Sequence, residues 1–149
     1  MSKIKILFVC VHNSARSQMA EAILNQIAGS EFIAESAGLE PGNLNPLVVD
    51  AMKEIGIDIS GNQTKSVFDF FTQGRFYHFV ITVCDNANEH CPIFISKAKK
   101  FHHNFPDPAK AIGSDEEVIE VFAKVRDQIK NYTLQFINKY LPQANHSNL

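Results

Sequence analysis

The sequence predicts an α/β fold, with a central parallel sheet of about four strands flanked by helices. Three observations lead there. Two strongly apolar runs, residues 4–9 and 76–83, have the length of strands and little of the polar alternation of a half-exposed sheet, so both faces are expected to be covered. Between and after them lie segments whose apolar residues recur at helical spacing, and strands alternating with helices form parallel sheets. Both runs end at a cysteine, Cys10 and Cys84. Ligands of such sheets sit beyond the carboxyl ends of the strands, so the two thiols are expected on one rim.

Taken in order, the first strand leads into the polar loop of residues 10–17 and then a helix over 18–27. Met19, Ala20, Ile23, Leu24 and Ile27 form the apolar face of that helix, and Gly29 offers a stop. Residues 31–36 make a second short strand. Pro41, Gly42 and Asn43 carry turn chemistry. Asn45 is an N-cap and Pro46 a first helical residue, with Val48, Val49, Met52 and Ile55 facing inward and Gly56 ending the helix. Residues 58–64 are a polar connection, and 67–71 a short helix broken at Gly74. After the strand over 76–83, residues 85–92 form a loop or a loop with a helical turn. Residues 93–95 cannot be typed by periodicity. Residues 99–103 form a short edge strand, and 105–108 a loop stiffened by Pro106 and Pro108. One long helix covers 116–141, with Ser114 and Glu117 as a capping box and Pro142 as the stop. Residues 142–149 are expected to be a flexible tail.

The 149 residues suit a single domain spanning 1–149. A formal net charge of -2 argues against an extended nucleic-acid surface, although it leaves room for a focused cationic pocket. No apolar run is long enough to cross a membrane, and the first residues lack a secretory apolar region, so a cytoplasmic location is expected. Three cysteines in a reducing compartment do not make a disulfide scaffold and leave chemistry, metal binding or burial.

The loop Cys10-Val11-His12-Asn13-Ser14-Ala15-Arg16-Ser17 joins a strand end to a helix start. Its backbone N–H groups and the helix N-terminus suit a tetrahedral oxyanion, and Arg16 adds a permanently charged planar fork. The same field favours the Cys10 thiolate, the nucleophilic form. Val11, Ser14 and Ala15 contribute backbone to this cradle. Ser17 has two readings, a helix cap or a hydroxyl donated to the thiolate. Asn13 either ties the loop together or takes a left-handed turn. His12 is read as an exposed imidazole at the rim. Asp107, between two prolines, is either a general acid held on a stiff loop or a turn aspartate. Cys84 and Cys91 are separated by Asp85-Asn86-Ala87-Asn88-Glu89-His90, which leaves a local disulfide, inert burial or a metal site. Zinc spacing and a full ligand set are absent, so no metal is assigned.

On these residues the chain resembles the low-molecular-weight protein tyrosine phosphatase fold, and within it the thioredoxin-coupled arsenate reductases. The likeness runs from Ile6 to about Lys130. It includes the Cys10–Ser17 loop, Gln18-Met19-Ala20-Glu21, Ser36-Ala37-Gly38, Asn45-Pro46, Ala51-Met52-Lys53-Glu54, Ile57-Asp58-Ile59-Ser60, Thr82-Val83-Cys84, Cys91-Pro92, Asp107-Pro108 and Val125-Arg126-Asp127-Gln128-Ile129. The resemblance implies that Cys10 attacks arsenate, that Arg16 and the loop amides stabilise its oxygens, and that Asp107 protonates the departing oxygen. It further implies that Cys84 attacks Cys10 to release arsenite and that Cys91 attacks Cys84. Thioredoxin then reduces the Cys84–Cys91 disulfide. Each exchange is expected to require movement of the segment carrying Cys84. No cofactor is implied, the substrate is an arsenate or phosphate oxyanion, and the protein is expected to be a monomer. The alternatives are a low-molecular-weight phosphatase working through a Cys10 phosphoenzyme, and a non-enzymatic oxyanion or redox module.

The chain departs from the pattern at several places. Val11-His12 replaces a smaller pair, and His102-His103-Asn104 replaces an aromatic segment before the acid loop. Pro106 stands where the family often has an additional aspartate. Asn13, Glu21 and Ser36 resemble the family's cation-supporting site, but its later acidic partner is missing and Thr64-Lys65-Ser66 occupies that region. Lys65 is therefore read as a local source of positive charge in place of potassium activation.

Overall fold

The computed structural model describes residues 2–91 and 98–140. Four strands, β1 (Ile4–Cys10), β2 (Phe32–Gly38), β3 (Phe79–Thr82) and β4 (Lys99–His102), form one sheet in the order β2-β1-β3-β4. Every adjacent pair is parallel. The helices are α1 (Arg16–Ala28), α2 (Pro46–Lys53), α3 (Val67–Thr72), α4 (Asp85–His90) and α5 (Asp115–Tyr140), with a 3-10 turn at Pro108–Lys110. The chain leaves β1 through α1 to reach β2 on one side, then crosses to β3 on the other. The carboxyl end of β1 is thus the point at which the winding reverses, where sheets of this kind open a crevice for ligands.

The expectation for β1 holds because its side chains are covered on both faces. Ile6, Leu7, Phe8 and Val9 are buried, each side chain contributing roughly 1.5–3 kcal/mol by leaving water. α1 packs on β1, β2 and α5, while α5 also meets α2. Arg126 of α5 is buried and donates to the Ala51 carbonyl at 2.9 Å and to Glu54 at 2.7 Å, fastening α5 across α2. The local helix signals operate as read. Asn45 Oδ1 accepts the Leu47 amide ahead of Pro46. Ser114 and Glu117 exchange hydrogen bonds at 3.2 and 3.1 Å as a capping box.

Several boundaries differ from expectation, α1 beginning at Arg16 and β2 running on to Gly38 among them. The strand predicted over 76–83 is confined to Phe79–Thr82. His78 spends its ring on the Lys5 amide at 2.9 Å, and its own amide bonds the Lys5 carbonyl, so the regular ladder starts one residue later. Residues 85–92, read as a loop or helical turn, contain the helix α4 over Asp85–His90. The edge strand ends at His102 instead of residue 103. Residues 93–95, the Pro142 stop and the 142–149 tail lie outside the described residues. No described helix is long and apolar enough to cross a membrane.

Candidate active site

Cys10 closes β1, paired in register with Gly38 of β2, while Val9 pairs with Thr82 of β3. The chain then turns through residues 11–15 into α1. This return fits only because residue 38 is glycine. A Cβ there would stand 2.6 Å from the Val11 carbonyl oxygen and 2.8 Å from the Asn13 nitrogen, both backbone atoms that cannot swing aside. The loop is fastened further by its carbonyls. Those of Cys10, Val11, His12 and Ser14 accept the amides of Leu39, Glu40, Gly42 and Asn45 in turn. Ala15, buried, is the N-cap residue of α1 and supplies no side-chain cap. The first-turn amides of α1 have no partner inside their own helix and are aimed at the loop.

Asn13 satisfies both readings given to it. Its φ of 54° is left-handed, and its fully buried amide uses all its hydrogen-bonding directions. Its Nδ2 donates to Ser17 Oγ at 2.8 Å and Ser36 Oγ at 3.0 Å, while Oδ1 accepts from Gln18 Nε2 at 3.1 Å and the Lys65 amide at 2.9 Å. The chain of bonds continues from Ser36 Oγ to Glu21 Oε1 at 2.7 Å, where the Lys65 ammonium also lands at 3.1 Å. The positive charge expected of Lys65 is therefore neutralised locally on Glu21, beneath the loop.

Ser17 is resolved as a partner of Cys10 and not a cap. Its Oγ lies 2.7 Å from Cys10 Sγ, and the Asn13 amide donates to the same sulfur at 3.1 Å. Burial is the largest influence on the Cys10 thiol and pushes it up, with Cys84 adding in the same direction. The Ser17 hydroxyl and the amides of Ser17 and Asn13 pull it down. The field expected to favour the thiolate is present, but it works against desolvation, and burial raises this thiol above its ordinary value.

Arg16 and Asp107 meet across a cleft of about 320 Å³ that is also lined by His12, Cys84, Asn104 and Lys110. Arg16 Nη1 donates to the Phe105 carbonyl at 2.9 Å, and Nη2 stands 3.8 Å from Asp107 Oδ2. Asp107 holds its turn as well, accepting the Ala109 amide on Oδ1 at 3.0 Å. One oxygen thus fixes the loop and the other faces the cleft. His12 is exposed, with Nδ1 3.0 Å from the Glu40 carbonyl oxygen.

Cys84 follows β3 beside the end of β1, since the Val83 amide donates to the Val9 carbonyl at 2.9 Å. It is the N-cap residue of α4, and Cys91 is the C-cap residue at the other end. All three cysteines are thiols. Burial pushes Cys91 up to about 11, with Lys100 pulling the other way. Across the helix, seven residue steps at a rise of about 1.5 Å separate the two Cα atoms by roughly 10 Å, beyond the roughly 7 Å limit for a disulfide. Joining Cys84 to Cys91 therefore requires movement of this segment, while Cys84 lines the cleft with Arg16. Among the described residues, no group of three or more His, Cys, Asp or Glu could hold a metal ion. Sequence reasoning gave no role to Asn104 or Lys110, because no local motif brings them to the loop.

The low molecular weight phosphotyrosine protein phosphatase family model matches residues 5–145. An arsenate reductase of Bacillus subtilis (strain 168) is 44% identical over 131 residues, covering 88% of this chain and 93% of the relative. One from Oceanobacillus iheyensis is 45% identical over 129 residues, covering 87% and 91%. Among solved structures, an arsenate reductase in the phosphate binding state superposes with a TM-score of 0.77 at 32% identity, covering 91% of this chain and 98% of that one. One in the oxidized state gives 0.75 at 30%, covering 91% and 97%, and one in the intermediate state gives 0.72 at 31%, covering 92% and 98%. A family match that runs from residue 5 to residue 145 and curated relatives aligned over most of both chains lead to one conclusion: the chain belongs to the low molecular weight phosphotyrosine protein phosphatase family.

Proposed function

We propose that the protein is an arsenate reductase, a single catalytic domain over residues 1–149, acting as a monomer in the cytoplasm. The observation that carries this reading is the position of Cys84. It lines the same cleft as Arg16 and Asp107, a position a phosphoester hydrolase does not need. The arsenate reductases among its relatives support the substrate.

In this reading the Cys10 thiolate attacks arsenic and forms an S–As bond. Arg16 and the loop amides stabilise the charge on the oxygens, and Val11, Ser14 and Ala15 supply cradle backbone. Asp107 protonates the departing oxygen, which leaves as water. Cys84 then attacks Cys10 Sγ as a thiolate. The S–S bond forms, the S–As pair returns to arsenic, and arsenic falls from the pentavalent to the trivalent state as arsenite. Two thiols are oxidised and one arsenate is reduced, so the electrons balance. Cys91 next attacks Cys84 and frees Cys10. Unwinding α4 brings the two cysteines together and exposes Cys91, lowering a thiol that burial had raised. Thioredoxin, a surface dithiol, reduces the resulting disulfide. The Lys65 ammonium offsets the Glu21 carboxylate beneath the loop.

Cysteine 91 provides the test. After exposure of the reduced Cys91→Ala variant to one equivalent of arsenate, mass spectrometry should find a Cys10–Cys84 disulfide and one equivalent of arsenite. Free Cys10 and Cys84 after demonstrated arsenate binding would sink the relay. A phosphatase working through a Cys10 phosphoenzyme is the second reading, favoured by the Arg16–Asp107 geometry alone. It requires Cys84→Ala to spare all turnover.

A further inference from the structure

Outside the reacting groups, one cluster ties the segment that must rearrange to the edge of the sheet. His102 of β4 places Nε2 2.7 Å from Asp85 Oδ1, the first residue of α4. Its Nδ1 lies 2.8 Å from Thr82 Oγ1 and 3.2 Å from the Thr82 carbonyl oxygen. Asn104 Oδ1 accepts the Asp85 amide at 3.1 Å. Lys100 donates to the Asn88 carbonyl at 3.0 Å. The head and middle of α4 are thus held from β4 and the residue run after it.

We infer that His102 is a positioning residue of the thiol relay, latching α4 through Asp85 so that Cys84 stays at the cleft until it has reacted. This inference rests on the reductase reading above. A six-residue helix has little stability of its own, so α4 persists through its contacts with β1 and β3 and through this latch. Asp85 carboxylate only accepts, so Nε2 of His102 must carry the hydrogen. It does so in the neutral tautomer, where Nδ1 accepts from Thr82 Oγ1, and in the imidazolium, where Nδ1–H donates to Thr82. The latch therefore holds in either charge state. Its two effects on the relay are opposite. It favours the first exchange by keeping Cys84 beside Cys10, and it opposes the second, because Cys91 reaches Cys84 only when the helix opens.

Single-turnover reaction with arsenate, quenched with an alkylating agent and read by mass spectrometry, separates the two exchanges. His102→Ala should slow formation of the Cys10–Cys84 disulfide and speed its conversion to Cys84–Cys91, each by about threefold, the scale of an exposed ion pair. His102→Gln, whose terminal amide still donates to Asp85, should restore both rates. Hydrogen exchange of the α4 amides in the reduced protein without arsenate should quicken in His102→Ala and not in His102→Gln. Both rates falling together, or the two variants behaving alike, would overturn the latch, as would unchanged α4 exchange. If the wild-type protein forms neither disulfide, the reductase reading fails instead, and the exchange measurement still decides whether His102 holds α4.

Discussion

Asn13, at the base of the Cys10 loop, is fully buried with both ends of its amide bonded, whereas Asp85, at the head of α4, leaves 74% of its side chain exposed and is held by His102. The two segments flank the same cleft and are built differently. The loop is tied to β2, α1 and the residues before α3 through buried bonds that leave it one arrangement. The helix is one short element fastened by a few contacts, mostly at the surface. Oxyanion chemistry requires donors that do not reorganise as charge develops. A relay of thiols requires a segment that can change shape at modest cost, and such segments are drawn from the least stable part of a fold.

The comparison can be broken most directly at Arg16. If the loop works by fixed donors, Arg16→Lys keeps the charge and loses the planar fork, so kcat/KM for arsenate should fall by about 10²- to 10³-fold in steady-state assays. Near-normal turnover would mean that the loop's geometry is not what matters. Asn13→Ala sharpens the rigidity claim. It leaves Ser17, Ser36, Gln18 and the Lys65 amide without their common partner in a buried site, so unfolding in urea should show a loss of about 3 kcal/mol. A loss near zero would place the loop's rigidity elsewhere, in Gly38 and the carbonyl bonds to residues 39–45.

Ser17→Ala gives the smallest effect and probes the activation of Cys10. The hydroxyl lowers the Cys10 thiol against a larger burial effect that raises it. Removing the hydroxyl therefore raises the thiol further, and less thiolate is present at any given neutral pH. The alkylation profile of Cys10 should move to higher pH, with the rate at pH 7 falling about tenfold, the scale of a hydrogen bond to a charged group. An unmoved profile would show that the backbone amides suffice.

Much of this architecture was legible before any coordinates. The apolar run before Cys10, the helical spacing of Met19, Ile23 and Leu24, the Asn45-Pro46 start and the Ser114–Glu117 box are local patterns, and each forms where it was read. The apolar residues over 76–83 continue beyond the pairing, so their pattern predicts a longer strand than the one formed at Phe79–Thr82. Phe76 is nearly half exposed and Tyr77 turns its hydroxyl onto Glu35, uses that periodicity does not distinguish from strand burial.

By itself the sequence determined the parallel α/β frame, the oxyanion-binding character of residues 10–17 and the placing of a second thiol, Cys84, on the rim of Cys10. These follow from repeats over a few residues and from chemistry fixed by residue type. Only the tertiary structure decided that Ser17 serves Cys10 and not the helix end, that Lys65 reaches Glu21 44 residues away, and that His102 holds Asp85. It also decided that Cys84 and Cys91 stand at opposite ends of a helix. The reason is physical. A hydrogen bond between distant residues depends on which strands lie side by side and in what register, and that register is set by packing of the whole sheet, not by any segment alone.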